Sequence, residues 1–203
     1  MPPQVGLQRT HGMSASFNSD SSCCAVFSSA GYEIFTCSPF ASCHVCADCG
    51  ISVVEMLHCS SLVALVGIGE QSEDSPRRRL RLWNTRTNTS ICELNFSAPV
   101  LGVRMSRARL LACLETRVHV FELSSMKLLH TLETARPASP PSQPQHRRIR
   151  CHDIAQAPNR LGLADMCVAV GRCHAVLPAA APGQILFFDA PQLHALPTLG
   201  TRF

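Results

Sequence analysis

The chain has 203 residues, of which 46% are hydrophobic, so it is long enough for one or two domains with a buried core. Its formal net charge is +4, and every basic residue except Lys127 is an arginine, a bias that we interpret as a preference for GC-rich codons. A net charge of this size does not by itself indicate nucleic-acid binding.

The cysteine content raises the question of a secreted, disulfide-rich protein, because the chain has 12 cysteines. No apolar signal segment occurs in residues 1–12. The longest apolar run, about Met56–Ile68, is interrupted by polar residues and is shorter than the roughly 20 residues of a membrane-spanning helix. We therefore expect a cytoplasmic protein whose cysteines are reduced.

A repeated strand pattern is the main structural signal. Four short apolar-rich segments with a strand pattern end in an aromatic residue: Tyr32–Phe35, Leu80–Trp83, Val118–Phe121 and Ile185–Phe188. The first three final aromatics recur at intervals of 48 and 38 residues, close to the roughly 40–45 residues of a four-stranded propeller blade.

The segments between these aromatics also have strand patterns. Ser61–Ile68 is a continuous apolar run that predicts a buried inner strand, and Ser90–Phe96 alternates behind Leu80–Trp83. Four consecutive strands with short polar links form the clearest predicted blade: Val100–Met105, Arg109–Glu115, Arg117–Leu123 and Lys127–Glu133.

Prolines interrupt the pattern after the third predicted blade. Residues 136–158 contain five prolines and the basic cluster Arg147–Arg150, so we predict a loop or a disordered insertion. The predicted organisation is a disordered N-terminus at 1–12, blades one to three at 13–135, this insertion, and a partial fourth blade at 159–203. The fold class is all-β, an incomplete WD40-type propeller.

The sequence contains little material for catalysis. It has no Gly-rich phosphate loop, no nucleophile elbow, and no paired carboxylates with a companion base among its 14 acidic residues. We predict that the protein is not an enzyme and needs no cofactor.

Several stretches resemble the PROPPIN family of WD-repeat proteins, and the resemblance is firm from about Ser16 to Thr134. The most specific strings are SPRRRLRLWNT at Ser75–Thr85 and MKLLHTLE at Met126–Glu133, supported by SSLVALVGIG at Ser60–Gly69. The family has a seven-bladed propeller. The resemblance therefore implies three to four of seven blades, in a truncated plant- or algal-like member.

The resemblance implies an autophagy scaffold that binds phosphatidylinositol 3-phosphate, and often the 3,5-bisphosphate, and recruits autophagy machinery to forming autophagosomes. The implied location is cytoplasmic, peripheral on phagophore, endosomal or vacuolar membranes. The family's lipid motif, Phe/Leu-Arg-Arg-Gly, is absent from this sequence. We accordingly assign no lipid-binding residue.

Two basic segments are implied partner sites. By matching motif, Pro76 and Arg77, with Arg78 close by, contact the autophagic lipid-transfer scaffold protein, although the third arginine, Arg79, leaves the register within the motif open. In some relatives the arginine matching Arg107 recruits a component of the conjugation machinery. The alternatives are a solvated turn and an exposed charged hairpin.

The segment Cys43–Cys49 carries the main alternative function. Its C-x2-C-x2-C spacing, with Cys43, Cys46 and Cys49, allows a small zinc-binding module, but a second ligand pair is not evident. Because the family has a polar, often Cys-containing inter-blade loop here, we favour an unliganded loop. A non-functional truncated gene product is a further alternative.

Overall fold

The computed structural model describes residues 12–47, 49–69, 76–134, 159–169, 172–178, 184–189, 194–195 and 199–200. The chain divides into two compact units, Met1–Ser97 and Ala98–Phe203. Residues 1–11 and the predicted insertion at 136–158 lie outside the described residues. No described segment is a helix long and apolar enough to cross a membrane.

The first unit contains two four-stranded antiparallel sheets whose strands lie in sequence order. The strands of the first sheet are β1 Ser14–Phe17, β2 Cys23–Ser28, β3 Gly31–Cys37 and β4 Phe40–Cys46. The second sheet follows with β5 Ile51–Met56, β6 Leu62–Gly67, β7 Arg79–Asn84 and β8 Thr89–Asn95. A short 3₁₀ turn, Pro76–Arg78, precedes β7.

The core of the first unit lies between these two sheets. Alternate residues of β2 and β3, such as Ala25, Phe27 and Ile34, are buried together with Val54 and Leu65 from the second sheet. Because successive side chains of a strand point to opposite faces, this period of two places one row of apolar residues in the core.

The second unit also contains two sheets. The strands of its first sheet are β9 Gly102–Met105, β10 Arg109–Cys113, β11 Arg117–Glu122 and β12 Leu128–Glu133. The other sheet has β13 Asp165–Ala169, β14 Arg172–Pro178, β15 Gln184–Asp189, β16 His194–Ala195 and β17 Leu199–Gly200. Both short strands, β16 and β17, pair with β15.

The core of the second unit likewise lies between its two sheets. Leu111, Val118 and Val120 from the first of them pack with Ala175 and Leu177 of β14. Leu111, Val118 and Leu177 are each at most 1% exposed. The alternating pattern of the sequence therefore becomes a buried face in this unit as well.

The four aromatic-ended segments all lie in the third strand of a sheet, namely β3, β7, β11 and β15. The repeat inferred from the sequence is thus confirmed as a repeat of antiparallel sheets, three of four strands and one of five, and the four-stranded sheet is the unit of a propeller blade. The sequence analysis named no strand for β1, β2, β4 or β5.

The prediction of a loop over Cys43–Cys49 is wrong for its first part, because Cys43 and Cys46 belong to β4. Strand β4 pairs with β3, and the register shifts between Ile34 and Phe35, so that Cys43 has no partner opposite it. This β-bulge explains why the segment lacks a clean alternation in the sequence.

Candidate partner-binding site

The Pro76–Arg78 turn lies at one of the two edges of the second sheet that are formed by the ends of its strands. Strand β5 begins at this edge, β6 ends there, β7 begins there directly after the turn, and β8 ends there. The edge is tied together by backbone hydrogen bonds, since the amide of Ile68 donates to the carbonyl of Gly50 at 3.0 Å. The turn is therefore built on a regular sheet.

Pro76 packs directly on two glycines at the end of β6. A Cβ on Gly67 would lie 2.7 Å from the Cβ of Pro76, and a Cβ on Gly69 would lie 2.6 Å from its Cδ. Only residues without a side chain allow the proline ring to approach this closely. Because proline also fixes its own φ, the contact holds the start of the turn in one place.

The other end of the turn is anchored to β8. The amide of Phe96 donates a hydrogen bond to the carbonyl of Arg78 at 2.9 Å. The next residue, Arg79, is already in β7 and pairs with Asn95. Arg77 and Arg78 therefore belong to the turn, and Arg79 belongs to the strand.

The two turn arginines are both partly buried. The Nε of Arg78 is buried and has no hydrogen-bond partner in the structure. Because this Nε is buried, it is not a contact for the carboxylate of a partner, which must bind the terminal Nη groups of the guanidinium instead.

A pocket of about 260 Å³ lies beside the turn, lined by residues that include Gly50, Gly67, Pro76, Arg79, Arg81 and Glu93. Arg79 Nη1 lies 3.9 Å from Glu93 Oε1, and the two side chains are 42% and 39% exposed. Arg81 Nη2 donates to Cys49 Sγ at 3.7 Å. The sequence analysis assigned no role to Arg81, although the Arg-x-Arg spacing in a predicted strand places Arg79 and Arg81 on one face.

Arg107 belongs to the second unit, where it lies in the short loop between β9 and β10. The loop is closed by Ser106, whose Oγ accepts a hydrogen bond from the amide of Arg109 at 3.0 Å. Arg107 is exposed. Its two neighbouring arginines are in ion pairs, Arg104 with Asp165 at 3.6 Å and Arg109 with Glu122 at 4.0 Å.

The three cysteines of the zinc alternative have separate surroundings. The thiol of Cys43 donates to the carbonyl of Ile34 at 3.2 Å, and burial raises its pKa. Cys46 and Cys49 instead pack against the core of the first unit. Across the described ranges, no group of three or more His, Cys, Asp or Glu side chains is arranged to hold a metal ion. The zinc-binding alternative is therefore not favoured.

The sequence of the chain is similar to those of known proteins. The family model described as PROPPIN matches residues 12–145. Autophagy-related protein 18 of Yarrowia lipolytica is 48% identical over 120 residues, which cover 59% of this chain and 30% of that protein. The Komagataella pastoris protein of the same name is 44% identical over 126 residues, 62% of this chain and 23% of that protein. The chain thus spans less than a third of the length of these relatives.

Solved structures agree in fold. KlAtg21, in its complex with the coiled coil of AgAtg16, matches with a TM-score of 0.66 and 24% identity over 91% of this chain and 54% of that one. Kluyveromyces marxianus Hsv2 matches with a TM-score of 0.66 and 17% identity over 93% of this chain and 48% of that one. These likenesses establish the fold as a partial β-propeller. Since the family model covers well over half of the residues, the chain belongs to the PROPPIN family.

Proposed function

We propose that this chain is part of a non-catalytic autophagy scaffold that recruits autophagy machinery to forming autophagosomes. The proposed partner is the autophagic lipid-transfer scaffold protein, and the proposed contact is the Pro76–Arg78 turn. Membership of the PROPPIN family and the relatives named autophagy-related protein 18 support this function.

The observation that carries the proposal is the anchoring of the turn. Pro76 packs on Gly67 and Gly69, and the carbonyl of Arg78 is bound by the amide of Phe96. A preorganised turn loses little conformational entropy when a partner binds. Arg77 and Arg78 can therefore offer their guanidinium groups to an acidic surface at a low entropic cost.

The proposal is tested by a quantitative pull-down of the lipid-transfer scaffold protein with the wild-type chain and with Pro76→Ala/Arg77→Ala. We expect the double variant to bind about tenfold more weakly, because it loses both the fixed ring and one charged donor. Arg86→Ala is the matched control, since Arg86 is an exposed arginine in the turn after β7, at the opposite edge of the same sheet. Equal binding by all three proteins contradicts the assignment of the turn, and no binding by any of them removes the partner role.

Arg107 is a second proposed contact, for a component of the conjugation machinery. It is exposed in the loop between β9 and β10, whereas the nearest arginines in those two strands, Arg104 and Arg109, already have carboxylate partners. KlAtg21 was solved in complex with a coiled coil of AgAtg16, which makes a helical partner the natural candidate. Arg107→Ala should weaken capture of such a coiled coil by about fivefold, whereas Arg117→Ala, an exposed arginine at the start of β11, should not.

The proposed location is cytoplasmic, peripheral on phagophore, endosomal or vacuolar membranes. Membership of the PROPPIN family supports this proposal. Phosphoinositide binding comes to this chain only through its family, and no residue is assigned to it. We propose no nucleic-acid partner.

A further inference from the structure

In the part of the chain that the structure describes, the pocket beside the Pro76–Arg78 turn is lined by two guanidinium groups and one carboxylate. Arg79 and Arg81 are two residues apart on β7, and Glu93 lies directly opposite Arg81 on β8. All three side chains line the same pocket. The charges therefore face a common space instead of being dispersed over the sheet.

Among the described residues that line the pocket, the positive charges outnumber the negative charges. Glu93 lies within ion-pair distance of Arg79, at 3.9 Å. For Arg81, the described part of the chain shows no ion pair, and the contact that the structure records is with Cys49 Sγ at 3.7 Å. A thiol sulfur is a weak acceptor, so the guanidinium of Arg81 retains most of its capacity to bind an anion.

The size and charge of the pocket favour a side-chain carboxylate over a phosphate. Its volume of about 260 Å³ accommodates an amino-acid side chain, and Gly50, Gly67 and the ring of Pro76 form part of its wall. The net positive charge of one on the described lining residues matches one carboxylate. A dianionic phosphate would be repelled by Glu93, which remains in the pocket as a fixed negative charge.

We propose that the Arg81 pocket binds the side-chain carboxylate of a glutamate or aspartate in an extended acidic segment of the partner, next to the residues bound by the Pro76–Arg78 turn. The identity of the partner rests on the proposed function, whereas the carboxylate chemistry of the pocket does not. Arg81 makes the charge-assisted contact, and Glu93 sets the charge that the pocket accepts.

The test measures fluorescence anisotropy of a fluorescein-labelled peptide that contains three glutamates spaced by glycine and serine, at low ionic strength, where charge pairs are least screened. The wild-type chain should bind this peptide at least tenfold more tightly than the peptide with glutamine at those positions. Arg81→Gln should weaken binding of the glutamate peptide about tenfold, and Arg86→Gln, the control, should leave it unchanged.

Glu93→Gln provides a gain of binding that damage to the fold cannot produce. It removes the competing carboxylate, so the glutamate peptide should bind several-fold more tightly. Inorganic phosphate at equal ionic strength should displace the peptide no better than acetate does. Unchanged binding with Arg81→Gln, weaker binding with Glu93→Gln, or stronger displacement by phosphate each overturns the proposal.

The same experiments separate this inference from the proposed function. If peptide binding depends on Arg81 while the pull-down is indifferent to Pro76→Ala/Arg77→Ala, the pocket stands and the partner role of the turn falls. If the pull-down depends on Pro76 and Arg77 while Arg81→Gln binds the peptide normally, the partner role stands and the pocket falls.

Discussion

A buried tyrosine ring beside a half-buried histidine ring shows how single residues contribute to the first unit. Tyr32 Oη and His44 Nε2 lie 3.1 Å apart, and their ring centroids are separated by 5.5 Å. Burial raises the pKa of Tyr32 and lowers the pKa of His44. The folded state therefore favours the neutral form of both side chains.

This pair predicts a pH dependence of stability. Because the pKa of His44 is lower in the folded state than its usual value of about 6.5, the unfolded chain binds more protons as the pH falls through that value. The free energy of unfolding should fall between pH 7.5 and pH 5.5, as measured by urea denaturation, and His44→Gln should reduce the slope. His119, whose pKa is lowered by burial and by the charge of Arg117, adds a remaining slope of the same sign.

An NMR titration of the His44 ring provides the direct check. We expect its midpoint below 6.5. A midpoint at or above 6.5, or an unchanged slope in His44→Gln, would contradict the assignment of this histidine as a half-buried neutral partner of Tyr32.

The end of β6 shows how one element positions a site on another. Gly67 is the last residue of β6, and the ring of Pro76 lies so close to it that a Cβ on this residue would collide with the ring. The position of the Pro76–Arg78 turn is thus set by the absence of a side chain on a neighbouring strand. The position of the arginines that the partner is proposed to bind therefore depends on Gly67, which itself carries no charge.

This dependence predicts that Gly67→Ala weakens partner binding although every arginine remains. The new Cβ would lie 2.7 Å from the Cβ of Pro76, so the turn must move. In the pull-down, the variant should lose about as much affinity as Pro76→Ala/Arg77→Ala. Gly12→Ala is the matched control, because a Cβ at Gly12 meets nothing within 4 Å. Full binding by Gly67→Ala would mean that the position of the ring does not matter for recognition.

At the scale of the whole molecule, the chain matches less than a third of the length of its curated relatives and lacks the double-arginine lipid motif. Large apolar side chains of the first sheet are exposed, including Phe17, Phe40 and Val45, at 61%, 73% and 62%. Nonspecific apolar adsorption and specific phosphoinositide recognition must therefore be distinguished in any membrane assay.

Liposome flotation makes this distinction. We expect weak or no binding to vesicles containing phosphatidylinositol 3-phosphate, and the same weak signal with vesicles that lack it. Robust flotation that requires the phosphoinositide would show that a lipid site lies elsewhere in this chain. Substitution of the arginines in Arg147–Arg150 would then test the predicted insertion as its location.

Much of the fold could be predicted from sequence because local alternation encodes it. Leu80 and Leu82 in β7, and Val118 and Val120 in β11, are two residues apart and buried, as the apolar pattern predicted. Strand β4 was missed because a bulge at Cys43 and mostly exposed side chains remove that alternation. The candidate turn was found through motif resemblance, but the sequence did not show that β7 begins at Arg79.

The amino-acid sequence by itself determined the repeat of aromatic-ended strands, the family and the basic Pro76–Arg78 motif. Tertiary structure alone decided that Pro76 packs on Gly67, that Arg81 meets Cys49 across 32 positions of the chain, and that Glu93 lies within ion-pair distance of Arg79. The physical reason is that a strand's periodicity fixes which face a side chain occupies. The register between strands fixes which side chains meet, and that register is set by pairing and packing across the whole sheet.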